Sequence, residues 1–319
     1  MILITGSNGF LASGLVEKIK DRELSLLGRS DSNKHKDFTY FNLEVGVTSD
    51  YSVALNQCKI VIHCAARVHL MYDKVENPLE AYRDVNTKGT INLAKQAIEA
   101  GVKRFIFISS IKVNGESSIE GTPFRFFDPH SPMDDYALSK SEAERQLQVL
   151  AKESGMEVVI IRPTLVYGPG VKANFASLMS LVSKGIPLPF GCITQNKRSL
   201  VSVDNLVDLI ITCIDHPKAA SQVFLVSDDH DVSTSEMVRE MAKALGKSTW
   251  QLPIPIWCYK LAGKLFNKSD VVDRLTGSLQ VDISHTKQTL GWKPPQTLQE
   301  GFKQTAQAFL RSKNHSGKS

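Results

Sequence analysis

The start of the chain switches from a continuous apolar run to a helical pattern. Met1 to Ile4 are all apolar, and Gly6 and Gly9 follow at once. A run that short, bounded by glycine, is typical of a strand buried on both faces. Apolar residues then recur on one face of a helix, at Leu11, Leu15, Val16 and Ile19. The pattern predicts a strand, a glycine turn and a helix, in that order.

The same alternation continues to residue 162. Short apolar runs predict further strands at residues 24–27, 38–43, 59–64, 104–108 and 158–162. Helical patterns lie at residues 82–100 and 136–153. Six strands with intervening helices predict an α/β domain of the Rossmann type, with a doubly wound parallel sheet covered by helices on both faces.

After Pro163 the pattern becomes less regular and predicts a smaller C-terminal α+β lobe. Strands are expected at residues 198–203 and 224–226. Helices are expected at residues 174–184, 206–215 with Asp204 as its cap, 233–245, 284–291 with Asp282 to Ser284 as its cap, and 298–310. We predict a first domain at residues 1–165, a lobe interleaved with it at residues 166–311, and a disordered tail at residues 312–319.

One apolar stretch admits two interpretations. Residues 250–266 are rich in apolar side chains and contain two prolines. The main prediction is a core helix with an extended entry. The alternative is a helix face that rests on a partner or on a membrane surface, as a lipid-linked sugar substrate would require.

Composition narrows the class of protein. The 319 residues carry a net charge of +5, and their basic residues are scattered, so nucleic-acid binding is not indicated. The five cysteines lie far apart without a CxxC pair, which favours neither a disulfide framework nor a metal site and fits a reducing compartment. The chain begins directly with a strand and has no run of about 18 apolar residues, so we expect a cytoplasmic protein without an integral membrane segment.

The glycine turn predicts a site for a dinucleotide. Gly6 and Gly9 leave the backbone bare, so a pyrophosphate can come close, and the following helix offers free N–H groups at its N-terminus. The second strand ends at Gly28-Arg29, where an acid would bind the ribose hydroxyl of NAD. Because Arg29 suits a 2′-phosphate, the cofactor is predicted to be NAD(P), leaning toward NADP(H).

Three residues have the chemistry for hydride transfer. Ser110 follows a predicted strand, and Tyr136 and Lys140 lie four residues apart on one helical face. Oxidation of an alcohol requires a proton to leave the oxygen, and a tyrosine can accept it if its pKa falls from about 10. A nearby ammonium favours the phenolate, so Lys140 is expected to lower the pKa of Tyr136, while Ser110 holds the substrate oxygen.

These stretches resemble the extended short-chain dehydrogenase/reductase family, in its nucleotide-sugar epimerase and dehydratase branch. The matching segments are residues 5–11, 63–66, 86–90, 109–110, 136–140, 162–163 and 167–169, with weaker matches at 198–204 and 291–294. The resemblance implies an NAD(P)-binding domain, a lobe that binds a nucleoside-diphosphate sugar, and a possible homodimer. It assigns catalysis to Ser110, Tyr136 and Lys140, and substrate contacts to Ser110, Asn174, Arg198 and Arg274.

The family's cofactor positions can be carried over residue by residue. The resemblance and the glycine turn together assign Gly6, Asn8, Gly9, Phe10, Leu11, Arg29, Asn42, Leu43, Ala65, Ala66, Asn86, Tyr136, Lys140 and Pro163. The family's third glycine is Ala12 here, which is small enough for close helix–strand packing. Asn114 and Leu165 also depart from the family pattern, at positions near the sugar.

The departures narrow the reaction. Dehydratases of the family carry Asp-Glu where this chain has Ile111-Lys112, so elimination of water is not expected. Because Arg29 favours NADPH, the main prediction is reduction of a UDP-4-keto-6-deoxy-N-acetylhexosamine for bacterial surface polysaccharide synthesis. The alternative is a 4-epimerase of UDP-glucose or UDP-N-acetylglucosamine. A non-catalytic dinucleotide sensor is a minor alternative.

Overall fold

A computed structural model describes residues 1–30, 35–68 and 75–316, without the side chains of residues 173, 174 and 314–316. The strands are β1 Ile2–Thr5, β2 Leu24–Gly28, β3 Thr39–Asn42, β4 Ile60–His63, β5 Arg104–Ile108, β6 Glu157–Pro163, β7 Leu165–Tyr167, β8 Arg198–Ser202, β9 Val223–Val226 and β10 Asp231–Val232. The α-helices are α1 Phe10–Lys18, α2 Ser52–Leu55, α3 Pro78–Tyr82, α4 Thr90–Glu99, α5 Asp135–Ser154, α6 Ala173–Ser183, α7 Val203–Asp215, α8 Thr234–Ala244, α9 Ile256–Leu265, α10 Ser269–Thr276, α11 Ser284–Leu290 and α12 Leu298–Ser316.

Seven parallel strands form the main sheet, in the order β3-β2-β1-β4-β5-β6-β9. The chain reverses its direction of travel across the sheet after β3, which places a crevice at the carboxyl ends of β1 and β4. The central strands are continuous apolar runs because both faces are covered: Leu3, Ile4, Phe105 and Phe107 are fully buried. The predicted Rossmann-type α/β fold is confirmed.

Two hydrophobic layers cover the sheet, one on each face. The layer on one face includes Leu15 and Val16 from α1 and Leu206 and Ile210 from α7. The layer on the other face is built by α2, α4 and α5 against the opposite side chains of the strands. This arrangement follows from the connections between parallel strands, which must cross over one face or the other.

A third core lies among the C-terminal elements. Buried side chains of α6, α8 and α12 pack there around Tyr167 and Phe302, beside a three-stranded sheet of β10, β8 and β7. β9 also comes from this half of the chain, yet it joins the main sheet, with Val226 opposite Pro163. The division at residue 165 remains a prediction.

Several predicted elements need correction. The expected helix at residues 82–100 is divided into α3, a π-helical segment at Arg83–Gly89, and α4. The helix expected at Leu206 begins at Val203, because Ser202 rather than Asp204 accepts the backbone N–H of Asn205 as its cap. α12 continues to Ser316, so the predicted tail is helical from residue 312 to 316, and residues 317–319 lie outside the described part.

The apolar stretch at residues 250–266 is not a core helix. α9 lies on the surface, and Gly263 is its one buried residue. Among the described residues, none of the helices has the length and apolar character needed to cross a membrane.

Candidate active site

The glycine turn lies at the carboxyl end of β1, against the segment that follows β4. Gly6 has a φ of +67°, and a Cβ atom there would come within 2.8 Å of the backbone of Ala65. A Cβ on Gly9 would lie 2.9 Å from the carbonyl oxygen of Gly6, which accepts the Gly9 N–H. Both positions therefore require glycine for a physical reason, because any side chain there would meet backbone atoms.

The turn fits the phosphates of a dinucleotide. Gly9 precedes α1 without a side-chain cap, so no side chain occupies the first N–H groups of that helix. The Ser7 hydroxyl is fully buried and has no hydrogen-bond partner among the described residues. Ala12, at the family's third glycine, is 1% exposed within the core, so its methyl group is accommodated. Phe10 and Leu11 begin α1 and are half-buried beside the turn.

At the adenosine end, a tyrosine occupies the space of the missing acid. A Cβ on Gly28 would lie 2.9 Å from the Tyr40 hydroxyl, which donates to the backbone oxygen of Ser30 and accepts from Asn8. Arg29 is 76% exposed and lies 3.9 Å from Glu44. The carboxylate of Glu44 therefore competes with a 2′-phosphate for the Arg29 guanidinium. The sequence-based preference for NADP(H) did not take this carboxylate into account.

Two further predicted cofactor contacts lie next to Gly28. Asn42 pairs with Gly28 at the end of β3, and the Leu43 N–H donates to the carbonyl oxygen of Gly28. Asn42 is exposed and Leu43 is half-buried, at the same edge of the sheet as the glycine turn.

Asn86 holds the segment after β4 in place. Its side chain is fully buried, accepts the backbone N–H of Arg67 at 2.8 Å and donates to the Arg67 carbonyl oxygen and to Ser139. Asn86 comes from the π-helical segment, and Ser139 comes from α5. The predicted contact residue thus ties the loop of Ala65 and Ala66 to the helix that carries Tyr136.

The structure brings Ser110 and Tyr136 together. Ser110 follows β5, and its hydroxyl accepts the backbone N–H of Lys112 at 3.3 Å. Tyr136 lies in the first turn of α5, which begins there because Asp134 accepts the N–H of Ala137. The Ser110 side chain lies close enough to the Tyr136 phenol to oppose the rise in the pKa of that phenol. A substrate oxygen at this edge could therefore meet both hydroxyl groups.

The expected lowering of the Tyr136 pKa is not present. Burial raises the pKa of Tyr136 to about 12, the Asp134 carboxylate and Tyr82 add to the rise, and the hydrogen bond from Ser110 opposes it. Lys140 is not among the causes of this shift. The structure therefore does not show the expected lowering of the Tyr136 pKa by Lys140, and desolvation of the phenol is the largest effect on that pKa.

Lys140 instead lies in the interior beneath the site. It is 1% exposed, donates to the Ile108 carbonyl oxygen at 2.9 Å and lies 4.4 Å from the centre of the Phe107 ring. Burial lowers the pKa of Lys140 to about 8, and Cys64 and Glu144 oppose that effect. The carbonyl at the end of β5 thus holds the ammonium one helical turn below Tyr136.

A buried ion pair lies a further turn along α5. Glu144 and Arg162 are 0% and 2% exposed, and the guanidinium Nη2 donates to Oε2 at 2.6 Å. Ser109 also donates to Glu144, while Arg162 contacts Asn114 and His130. Burial raises the pKa of Glu144, but hydrogen bonding with His130 and the charge of Arg162 hold it below its usual value.

Sequence reasoning missed this pair, although its signal was present. Arg162 was recognised as part of a motif, and Glu144 follows Lys140 by one helical turn on the same face. It also missed that Lys112 contacts Asp134 at 2.5 Å and Glu116 at 2.9 Å. Asp134 is the cap of α5, so Lys112 partly neutralises the charge that raises the pKa of Tyr136.

The predicted diphosphate residues come from β8 and α10. Arg198 donates to the Arg274 carbonyl oxygen at 2.8 Å, and burial together with the charge of Arg274 lowers the pKa of Arg198. Neither guanidinium forms an ion pair with a carboxylate of the described residues. Two cations without a carboxylate partner favour an anion. Asn174 begins α6, and its side chain lies outside the described part; Pro163 is buried at the end of β6.

The parallel sheet, the glycine turn and the Ser110–Tyr136 pair define a nicotinamide-dependent enzyme of the short-chain dehydrogenase/reductase class. The chain belongs to the NAD dependent epimerase/dehydratase family, because the sequence model of that family matches residues 2–227. The predicted resemblance is confirmed, and with it the assignment as an NAD-dependent enzyme.

Curated relatives match over nearly the whole chain. A Vibrio cholerae protein described as UDP-glucose 4-epimerase is 68% identical over 316 residues, which are 98% of this chain and 96% of that protein. An N-acetyl-alpha-D-glucosaminyl-diphospho-ditrans,octacis-undecaprenol 4-epimerase of Escherichia coli O157:H7 is 27% identical over 328 residues, which are 98% of this chain and 96% of that protein.

Solved structures share the fold. UDP-glucose 4-epimerase of Thermotoga maritima, solved with UDP-glucose, has a TM-score of 0.76 and 21% identity, and covers 98% of this chain and 99% of its own. UDP-glucuronic acid 4-epimerase of Bacillus cereus, solved with NAD, has a TM-score of 0.76 and 19% identity, and covers 97% and 98%.

Proposed function

We propose that this protein is an NAD-dependent 4-epimerase of a UDP-hexose, and that UDP-glucose and UDP-galactose are its substrate pair. The observation that carries the proposal is the 68% identity, over 98% of the chain, to the Vibrio cholerae UDP-glucose 4-epimerase. This finding favours the epimerase alternative over the 4-ketoreductase that the sequence analysis preferred.

The side chains near the adenosine end also favour NAD over NADP(H). The lean toward NADP(H) rested on Arg29, whose guanidinium is within 3.9 Å of Glu44. A 2′-phosphate at this position would meet that carboxylate as well as the guanidinium. The ribose hydroxyl of NAD carries no such charge, so NAD fits both the family and this pair of side chains.

The reaction inverts C4 without net oxidation. When bound, NAD+ supplies the hydride acceptor for C4 and later returns the hydride. Tyr136 must be a phenolate to accept the proton of the C4 hydroxyl as that oxygen becomes a ketone, and it gives the proton back when the opposite face is reduced. Burial raises the pKa of Tyr136 to about 12 in the chain alone, so the phenolate needs the positive charge that bound NAD+ would add to the site. Ser110, which lies beside the phenol, can donate a hydrogen bond to the C4 oxygen and hold it there. Lys140, held by Ile108, keeps a cation beneath the site at neutral pH.

Inversion requires that the 4-keto sugar present its other face while the nucleotide stays bound. Arg198 and Arg274 approach each other without a carboxylate partner among the described residues, and we assign the diphosphate to this pair. An arginine fork can bind two phosphate oxygens at once, so it holds the nucleotide while the sugar turns.

The other family reactions have less support. Lys112 takes the place of the glutamate that serves as base in dehydratases, and as a cation bound to Asp134 and Glu116 it cannot perform that role. A sensor would have no need of Tyr136 at the sheet edge with Lys140 buried beneath it.

The test measures isomer conversion and cofactor balance together. Purified protein is incubated with UDP-glucose without added reductant, and UDP-galactose is quantified; UDP-N-acetylglucosamine is the second substrate. We expect conversion with no net change in reduced nicotinamide, and a loss of about 100- to 10,000-fold in the rate for Tyr136→Phe. Consumption of NADPH with a UDP-4-keto-6-deoxy sugar, and no interconversion of C4 epimers, would establish the reductase instead.

A further inference from the structure

An exposed apolar surface lies on α9, far along the chain from the catalytic residues. It is formed by Trp257, Leu261 and Leu265 of α9, with Trp250 before the helix and Phe266 directly after it, and these five side chains are 53% to 74% exposed. Trp257, Leu261 and Leu265 follow each other at intervals of four residues, so they form a stripe along one side of the helix. We call these five residues the α9 surface.

The stripe faces outward because the opposite side of α9 is fixed. Gly263 is buried against α10, and a Cβ there would lie 2.8 Å from Cγ2 of Val272. Any larger residue would push the two helices apart. The close contact sets the rotation of α9, so the apolar stripe cannot turn inward while the helix pair stays packed.

The chain segment that carries this surface is basic. Residues 245–269 contain four lysines and no acidic residue, whereas the whole chain has a net charge of only +5. Lys260 and Lys264 are exposed and lie along one edge of the stripe, three and seven residues after Trp257. The next acids along the chain, Asp270 and Asp273, belong to α10.

We propose that the α9 surface docks on an anionic lipid bilayer. A surface helix with tryptophan and leucine on one side and lysines beside them has the composition of helices that lie in the membrane interface. Apolar side chains enter the region between headgroups and acyl chains, and the lysines meet the negative surface potential. The occupant is thus chosen by the charge complementarity of the lysines.

A second copy of the chain would fit this surface less well. Most homodimers are two-fold symmetric, which would place the α9 surface against itself. Lys260 and Lys264 would then face the same lysines of the partner, with no acid in residues 245–269 to pair with them. An anionic bilayer presents no such repulsion.

The location has a consequence for the candidate substrate site. Val272, which contacts α9, and Arg274, which we assign to the diphosphate, both belong to α10. Docking of α9 therefore fixes the helix that carries Arg274 next to the lipid surface.

The test is co-sedimentation of the full-length protein with vesicles that contain phosphatidylglycerol, compared with vesicles of phosphatidylcholine alone. We expect sedimentation with the anionic vesicles that weakens as salt is added. Leu261→Glu with Leu265→Glu is expected to abolish it. Lys260→Gln with Lys264→Gln is expected to weaken it about 25-fold, at about 5-fold for each lysine.

Matched controls are Val53→Glu, an exposed apolar residue on α2, and Lys18→Gln, an exposed lysine on α1; both should bind vesicles as the native protein does. All variants should keep the native far-ultraviolet spectrum and native turnover of UDP-glucose in solution. The proposal is overturned if the native protein stays in the supernatant with anionic vesicles, or if the α9 variants sediment unchanged. It is also overturned if the Glu variants convert a dimer to a monomer, since the surface would then be an interface between copies.

Discussion

The helices α5 and α9 differ in which side chains they bury: α5 buries charged residues, and α9 exposes apolar ones. α5 buries Lys140 and Glu144, each 1% exposed or less, while α9 exposes Trp257, Leu261 and Leu265. The buried charges of α5 are all bonded, to Ile108, Arg162 and Ser109. Both arrangements cost stability compared with an ordinary amphipathic helix. Such costs are expected where a helix serves a site, which is the candidate active site for α5 and the proposed docking surface for α9.

The largest expected effect comes from breaking the buried ion pair. Arg162→Met leaves the Glu144 carboxylate buried without its guanidinium, so the free energy of unfolding should fall by about 3 to 5 kcal/mol. Arg162→Met combined with Glu144→Leu removes both charges and should lose less than the single variant. Denaturant unfolding of the three proteins measures this. Equal losses in the single and double variants would show that packing, not charge, dominates at this position.

The buried ammonium of Lys140 should make stability depend on pH. Its pKa is about 8 when folded and about 10.5 when unfolded, so the native protein gains stability as pH rises from 8 to 10.5. Lys140→Met should raise the free energy of unfolding by about 1 to 3 kcal/mol at pH 7 while abolishing turnover. The gain should shrink toward pH 10.

Thermal unfolding of both proteins across this pH range measures the effect. Lys18→Met, at an exposed lysine of α1, is the control and should show no such trend. A stability difference between Lys140→Met and the native protein that stays constant from pH 7 to pH 10 would contradict the buried cation.

Although a methyl group is small, the glycine turn should not tolerate one at Gly6. Gly6→Ala places a Cβ 2.8 Å from the Ala65 backbone at a positive φ. We expect a loss of about 1 to 3 kcal/mol in the free energy of unfolding and weaker retention of NAD, because strain and steric contact act together. Gly101→Ala is a useful comparison, since φ is +73° there but no atom lies within 4 Å of the new Cβ. Equal losses at both sites would show that backbone strain alone is responsible.

The smallest effect is expected on α9. Leu261→Glu should change the free energy of unfolding by no more than about 0.5 kcal/mol, because Leu261 is 53% exposed. The loss in the free energy of unfolding should therefore be several-fold larger for Arg162→Met, beside α5, than for Leu261→Glu on α9. A loss above 2 kcal/mol for Leu261→Glu would mean that this side chain packs inside the protein.

Local patterns predicted the fold well because they carry their own physical cause. The glycine turn needs a bare backbone, and the spacing of Tyr136 and Lys140 follows from the helix period. The seventh strand was found at residues 224–226, although its place beside β6 depends on contacts far along the chain. Ser110 was found because parallel sheets bind ligands at the carboxyl ends of their strands.

The predictions that failed concerned properties that depend on residues distant in the sequence. The pKa of Tyr136 depends on burial and on Asp134, whose charge depends in turn on Lys112, 22 residues earlier in the chain. Glu144 reads as an ordinary surface acid until β6 brings Arg162 beneath it. The apolar stretch at 250–266 carries the same composition whether or not another element covers it, so the sequence could not decide between core and surface.

During synthesis on the ribosome, β9 is made well after the strand β6 with which it pairs. β6 ends at Pro163, and its neighbour β9 is complete at Val226, some 60 residues later. At about 5 to 20 residues per second, a ribosome needs about 3 to 12 seconds to make that stretch. For this interval the apolar strand β6 pairs with β5 on one side only, so Val158 to Ile161 form an open edge of the sheet. Slowing translation within residues 164–226 should therefore increase capture of the nascent chain by chaperones.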